Sequence, residues 1–107
     1  IPAGKKELQE EPILCAGREL AEETGIRAEN MVLLAEMYPS PGYTDEIVHI
    51  YKAEGLTFGA MAADEDEFIE VVRLPLEEAY EMVKNRKIKD AKTIIAITMT
   101  VNERFGK

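Results

Sequence analysis

Three glutamates fall within five positions of the stretch "GRELAEETGI", Gly17 to Ile26. Wound as a helix at about 100° per residue from Ile13, the set Ile13, Gly17, Leu20, Ala21 and Thr24 spans roughly −20° to +80°. Glu22, Glu19 and Glu23 then lie at about 180°, about 240° and about 280°, on the opposite face. Glu19 and Glu23 are one turn apart, and like charges at that spacing cost an isolated helix a few tenths of a kcal/mol, about 0.2–0.5. Something must compensate. Arg18, at about 140°, precedes Glu22 by four residues and can pair with it, fixing that carboxylate. The remaining carboxylates are hard-oxygen ligands of the kind Mg²⁺ or Mn²⁺ takes, with coordination completed by water and by substrate phosphate. Gly17 costs such a helix about 1 kcal/mol relative to alanine, and on the apolar face it is expected to admit a close backbone.

The elements that must carry these residues can be read from punctuation and period. Pro12 suits a first helical position and Gly25 a stop, so a helix is predicted over residues 11–24. "NMVLLAEMY", "EIVHIYKA" and "FIEVVRL" have strand length and β-branched content, the first closed by "PSPG". Pro75 opens a second helix, "PLEEAYEMVKNR", and Asp90 caps a third with Ile94, Ile97, Thr98 and Val101 on one stripe. The order predicts an α/β fold, a mixed sheet with helices packed on it. Three strands are few for three helices. The chain, which opens on "IPAG", is therefore expected to be one domain over residues 1–107 that lacks N-terminal strands.

Composition narrows the chemistry. The chain has 107 residues, 46% apolar and 32% charged, the profile of a globular domain. Its formal charge is −8, from 21 acids against 13 bases, so a nucleic-acid backbone would be repelled. Handling phosphates would require divalent cations. No apolar run approaches the roughly 18 residues of a bilayer span, and the expected address is cytoplasmic. Cys15 is the one cysteine and is read as filler. His49 is read as a packed or edge residue of a strand.

Written as G-x5-E-x7-R-E-U-x-E-E-x-G-U, with U apolar, the residues Gly4, Glu10, Arg18, Glu19, Leu20, Glu22, Glu23, Gly25 and Ile26 match the Nudix box throughout. The chain thus resembles the Nudix hydrolases, whose box is a loop-helix-loop that holds divalent cations on the diphosphate of a nucleoside diphosphate linked to another moiety. The resemblance implies a Nudix-type α/β/α sandwich with Glu19 and Glu23 as principal metal ligands. It further implies Glu22 and the backbone carbonyl of Ala3 as additional ligands, Arg18 as the residue that orients the carboxylates, Gly4 as a substrate-binding residue, and Glu10 as a support in the loop of the box.

Pro41 follows the box at the far end of the first strand candidate, in "YPSPGYTDE". A proline at that distance from Gly25, with "PAG" at the start and "DAKTIIAI" near the end, is similar to the ADP-ribose pyrophosphatase subgroup. That resemblance implies Pro41, Gly42 and Glu46 as substrate-binding residues and a glutamate of "DEDE", Asp64 to Glu67, as general base. Glu65 aligns with that base, and Glu67 is a further metal contact or the base itself. A carboxylate suffices there, because water on a divalent metal is already acidified. The implied reaction is Mg²⁺-dependent hydrolysis of ADP-ribose, or a related nucleoside diphosphate sugar, to AMP and ribose 5-phosphate, by a homodimer. Dinucleotide polyphosphates are an alternative substrate class, and a catalytically silent nucleotide sensor is an alternative function.

Overall fold

The computed structural model describes residues 1–59 and 70–105. The elements run α1 (Pro12–Thr24), β1 (Ile26–Met37), β2 (Val48–Phe58), α2 (Leu76–Lys84) and α3 (Ala91–Phe105). β1 and β2 pair in a two-stranded antiparallel sheet, so the fold is mixed α/β as expected. The third strand is not formed over its described part: Glu70 to Leu74 has no regular structure, and the rest of "FIEVVRL" lies outside the described residues. β-Branched content favours a strand only where a ladder partner is available. Val71, Val72 and Leu74 are exposed instead. No helix among the described residues is long and apolar enough to cross a membrane.

The chain divides into two compact units, and each strand contributes residues to both. The first comprises Ile1–Val32 and Ala53–Val72, less its undescribed residues. Pro12 sits at the start of α1, and Gly25 ends it at φ 75° with its N–H donating to the Ala21 carbonyl at 2.9 Å. That left-handed value is what glycine supplies cheaply at a helix end. The buried side chain of α1 is Cys15, 7% exposed, whereas Leu14 is 64% exposed. Cys15 sits at about 200° on the wheel, within the charged face. The segment before α1 explains the burial of Cys15: the Gly4 carbonyl lies 3.9 Å from its sulfur and the Lys5 carbonyl accepts from Arg18 at 3.3 Å. The loop therefore runs along the acids. Gly17 differs from expectation as well, because a Cβ built there meets nothing within 4 Å among the described residues. Among the described residues, its lack of a side chain admits no neighbouring backbone.

The second unit comprises Leu33–Lys52 and the described residues from Arg73 on. There α2 packs on α3, and Lys52 of β2 donates to Glu103 of α3 at 2.6 Å. His49 lies on β2 with its Nε2 3.7 Å from Glu36 of β1. Helix α2 closes with Lys87 N–H on the Met82 carbonyl and Arg86 N–H on that of Val83, which puts Arg86 at φ 64° where glycine is usual. Asp90 caps α3: its Oδ2 accepts from the Thr93 N–H at 3.0 Å and from the Thr93 hydroxyl at 2.7 Å. These bonds, foremost that from the Thr93 hydroxyl and then the Lys92 ammonium, hold the Asp90 carboxyl down at about 2. A depressed folded value means that the cap's stabilisation is complete above the unfolded value of 3.8 and disappears as pH falls through about 2. Asp90→Ala is expected to cost about 1 kcal/mol at neutral pH. Thermal unfolding followed by circular dichroism at pH 7 and pH 2 checks this, the difference between variant and parent shrinking at the lower pH.

Candidate metal and diphosphate site

Arg18 is the hub of the charged face. Its Nε and Nη2 donate to the two oxygens of Glu10 at 3.0 and 3.1 Å, a bidentate pair. Its Nη1 donates to Glu19 Oε1 at 2.9 Å and to the oxygens of Glu22 at 3.3 and 3.5 Å, with Glu7 Oε1 at 3.9 Å beyond. Glu10 Oε1 also accepts the Glu7 N–H at 2.9 Å. The Arg18 guanidinium, seconded by that N–H, holds the Glu10 carboxyl down at about 2, and Glu10 in turn pushes the guanidinium above its ordinary range. Burial pushes the Cys15 thiol up, which argues against a nucleophile there. The expected Arg18–Glu22 pair is thus present, yet it is the longer contact. The anchor is Glu10, eight residues away, and only the fold-back of the loop brings it there.

The same loop meets the other two glutamates. The Ala3 N–H donates to Glu23 Oε2 at 3.2 Å. A side chain built at Gly4 would fall on the Glu19 carboxylate, so glycine at this position leaves the space that Glu19 fills. Ala3, Gly4, Arg18, Glu19, Glu22 and Glu23 are therefore brought together in one unit. Their donors are carboxylate and backbone oxygens, the set that suits Mg²⁺ or Mn²⁺. Among the described residues, however, no three His, Cys, Asp or Glu side chains converge closely enough to hold a metal. Arg18 donates to Glu19 and Glu22, and Glu23 Oε2 accepts from the Ala3 N–H.

Pro41 and Gly42 belong to the second unit, where with Tyr38, Tyr43, Thr44 and Asp45 they line an open hollow of about 480 Å³. Glu46 is not part of that lining; its N–H donates to the Thr44 hydroxyl at 3.2 Å. Glu65 and Glu67 lie outside the described residues.

The model of the NUDIX domain matches residues 1–96. The chain belongs to the Nudix family. Among curated relatives of this Nudix chain, the ADP-ribose pyrophosphatase of Bacillus subtilis is 48% identical over 99 residues, 91% of this chain and 54% of the relative. The methanol dehydrogenase activator of Bacillus methanolicus gives the same identity over the same shares. The GDP-mannose pyrophosphatase of Yersinia enterocolitica is 43% identical over 89 residues, 80% of this chain and 47% of the relative. The chain spans about half the length of the curated relatives it matches.

Proposed function

We propose that this Nudix chain belongs to a metal-dependent pyrophosphohydrolase that cleaves the diphosphate of ADP-ribose to AMP and ribose 5-phosphate. The observation that carries the reading is the folded box: α1 presents Glu19, Glu22 and Glu23 on the face along which Ala3 and Gly4 run, with Arg18 tied to Glu10 beneath them. The 48% identity to an ADP-ribose pyrophosphatase supports the choice of substrate. In this reading Glu19, Glu22, Glu23 and the backbone of Ala3 hold Mg²⁺, for which Mn²⁺ can substitute. When bound, the metal neutralises charge on the phosphoryl oxygens and acidifies the attacking water.

The chain's own residues do the rest. Glu10 fixes the guanidinium, the guanidinium orients Glu19 and Glu22, and Gly4 leaves room for the Glu19 carboxylate. Glu65, or else Glu67, takes the proton of the attacking water as oxygen bonds to phosphorus and the bridging oxygen departs with the other half of the substrate. Pro41, Gly42 and Glu46 belong to the substrate side of the proposal. A homodimer in the cytoplasm completes it, by resemblance to the family.

One relative favours a second reading. The methanol dehydrogenase activator, equally similar, raises a regulatory protein that binds a nucleotide and acts on a partner. Both readings are tested by incubating the protein with ADP-ribose, GDP-mannose and a dinucleotide polyphosphate, in Mg²⁺ and in EDTA, and scoring products chromatographically. The expected result is AMP from ADP-ribose in Mg²⁺ and none in EDTA. Faster release of GMP from GDP-mannose would replace the substrate. Calorimetric binding of ADP-ribose without product in Mg²⁺ would establish the regulatory reading.

A further inference from the structure

We infer that the loop joining α2 to α3 is a docking surface for a short acidic peptide segment of a partner protein. Residues 84–92 hold five bases, Lys84, Arg86, Lys87, Lys89 and Lys92, against the single acid Asp90, a net charge of +4. The other residues of the chain carry eight bases and 20 acids, so this positive segment belongs to a chain that is otherwise −12. Two of the five cations are satisfied locally. Lys84 Nζ meets Glu81 at 2.7 Å and lies 4.7 Å from the centre of the Tyr80 ring, and Lys92 Nζ meets Asp90 at 3.1 Å. Arg86, Lys87 and Lys89 are exposed and make no side-chain hydrogen bond or ion pair with a described residue.

Helix formation does not account for these three. A cation is favoured in the last turn of a helix, which covers Lys84, and disfavoured ahead of a first turn, where Lys89 stands one residue before the Asp90 cap of α3. Arg86 occupies φ 64°, a left-handed value that disfavours every side chain relative to glycine. The turn is nonetheless tied by its backbone. The Asn85 N–H donates to the Glu81 carbonyl at 2.9 Å, that of Arg86 to Val83 at 3.2 Å, and those of Lys87 and Ile88 to Met82 at 2.9 and 3.1 Å. Three cations held on one tied turn, two of them at positions their own helices do not favour, are preorganised for an anion from outside.

The surroundings select its kind. A nucleic-acid strand or an anionic bilayer would extend beyond nine residues into the field of the acidic remainder. A bilayer would also need an apolar anchor, and Ile88, the one large apolar residue of the segment, is half-buried. A lone phosphate needs converging donors, and the N-terminus of α3 is already taken by Asp90, whose Oδ2 accepts the Thr93 N–H at 3.0 Å. Successive carboxylates of an extended peptide can meet separate cations without such convergence.

The experiment titrates protein into a fluorescein-labelled octaglutamate peptide and reads anisotropy, at low salt and at physiological ionic strength. EDTA is present so that no divalent ion bridges peptide and protein. Wild type is compared with R86Q/K87Q/K89Q, with R86G, and with K5Q/K6Q/R27Q, which removes the same charge from exposed positions of the first unit. Wild type is expected to bind, more weakly as salt rises, and the loop triple variant to lose roughly tenfold in affinity. The control triple variant is expected to stay within about twofold of wild type. R86G is expected to melt no lower than wild type and yet to bind about threefold more weakly, a pair of signs that an arginine serving only the fold would not give. Absence of binding at low salt overturns the inference, as does equal weakening of the two triple variants, which would assign the effect to net charge alone. Tighter binding to a duplex oligonucleotide or to phosphatidylserine vesicles than to the peptide overturns the class of partner. If the loop triple variant fails to fold, R86G decides, and binding equal to wild type overturns the inference.

Discussion

Glutamine in place of Glu19 or of Glu23 is expected to lower Mg²⁺-dependent AMP formation from ADP-ribose by about a thousandfold or more. The amide keeps the size and one acceptor oxygen of the carboxylate but loses the charge that a divalent ion requires. Folding should hardly notice. Glu19 loses an ion pair with Arg18, a contact of 2.9 Å, while the guanidinium keeps its two bonds to Glu10. Removing one of two like charges a turn apart returns roughly 0.2–0.5 kcal/mol to α1. Glu22→Gln is expected to do less damage to turnover, since that side chain is 46% exposed and reaches Arg18 only at 3.3 and 3.5 Å. Turnover at saturating Mg²⁺ and the melting temperature are measured together. Near-normal turnover in both the Glu19 and Glu23 variants, with unchanged melting, would remove these carboxylates from the chemistry.

What could be read in advance follows the range of the interactions involved. Helix α1 announces itself because Pro12 and Gly25 act through their own backbone, and α3 because Asp90 reaches only to Thr93. Placing Glu19, Glu22 and Glu23 on one face needs nothing beyond the helical repeat. The third strand could not be judged in that way. Ladder formation in "FIEVVRL" depends on a partner that its own residues do not specify, and Glu70 to Leu74 is irregular. What covers Cys15 on α1 depends on where residues 1–10 lie, which the wheel does not show. Cys15 is buried by that loop among the charges, and Glu10 becomes the anchor of Arg18 through the same fold-back. Acids at eight-residue separation carry no periodic signal. The expected general base belongs to Asp64–Glu67, outside the described residues.

Two glycines of the same unit should respond to alanine in opposite ways, and the contrast separates helix propensity from site geometry. At Gly17 a methyl group meets nothing among the described residues, so Gly17→Ala is expected to stabilise the chain by about 1 kcal/mol with turnover unchanged. At Gly4 the methyl group lands on the Glu19 carboxylate. The φ of Gly4 is not positive, and alanine is compatible with the backbone there, so the collision is relieved by moving Glu19 or the loop. Either movement pulls apart the proposed ligand and the segment carrying Ala3, whose N–H meets Glu23 at 3.2 Å. Displacement of this kind around a reacting centre costs on the order of a hundredfold in rate. Gly4→Ala is therefore expected to lose about a hundredfold in turnover. Its Mn²⁺ binding should weaken, while its melting temperature stays close to that of the parent because the loop it occupies is exposed. Side-by-side kinetics and melting curves of the two variants provide the check. If Gly4→Ala turns over like the parent, the glycine does not make room for a catalytic carboxylate. If Gly17→Ala falls as far as Gly4→Ala, the sensitivity lies in α1 as a whole rather than in the meeting of loop and glutamate.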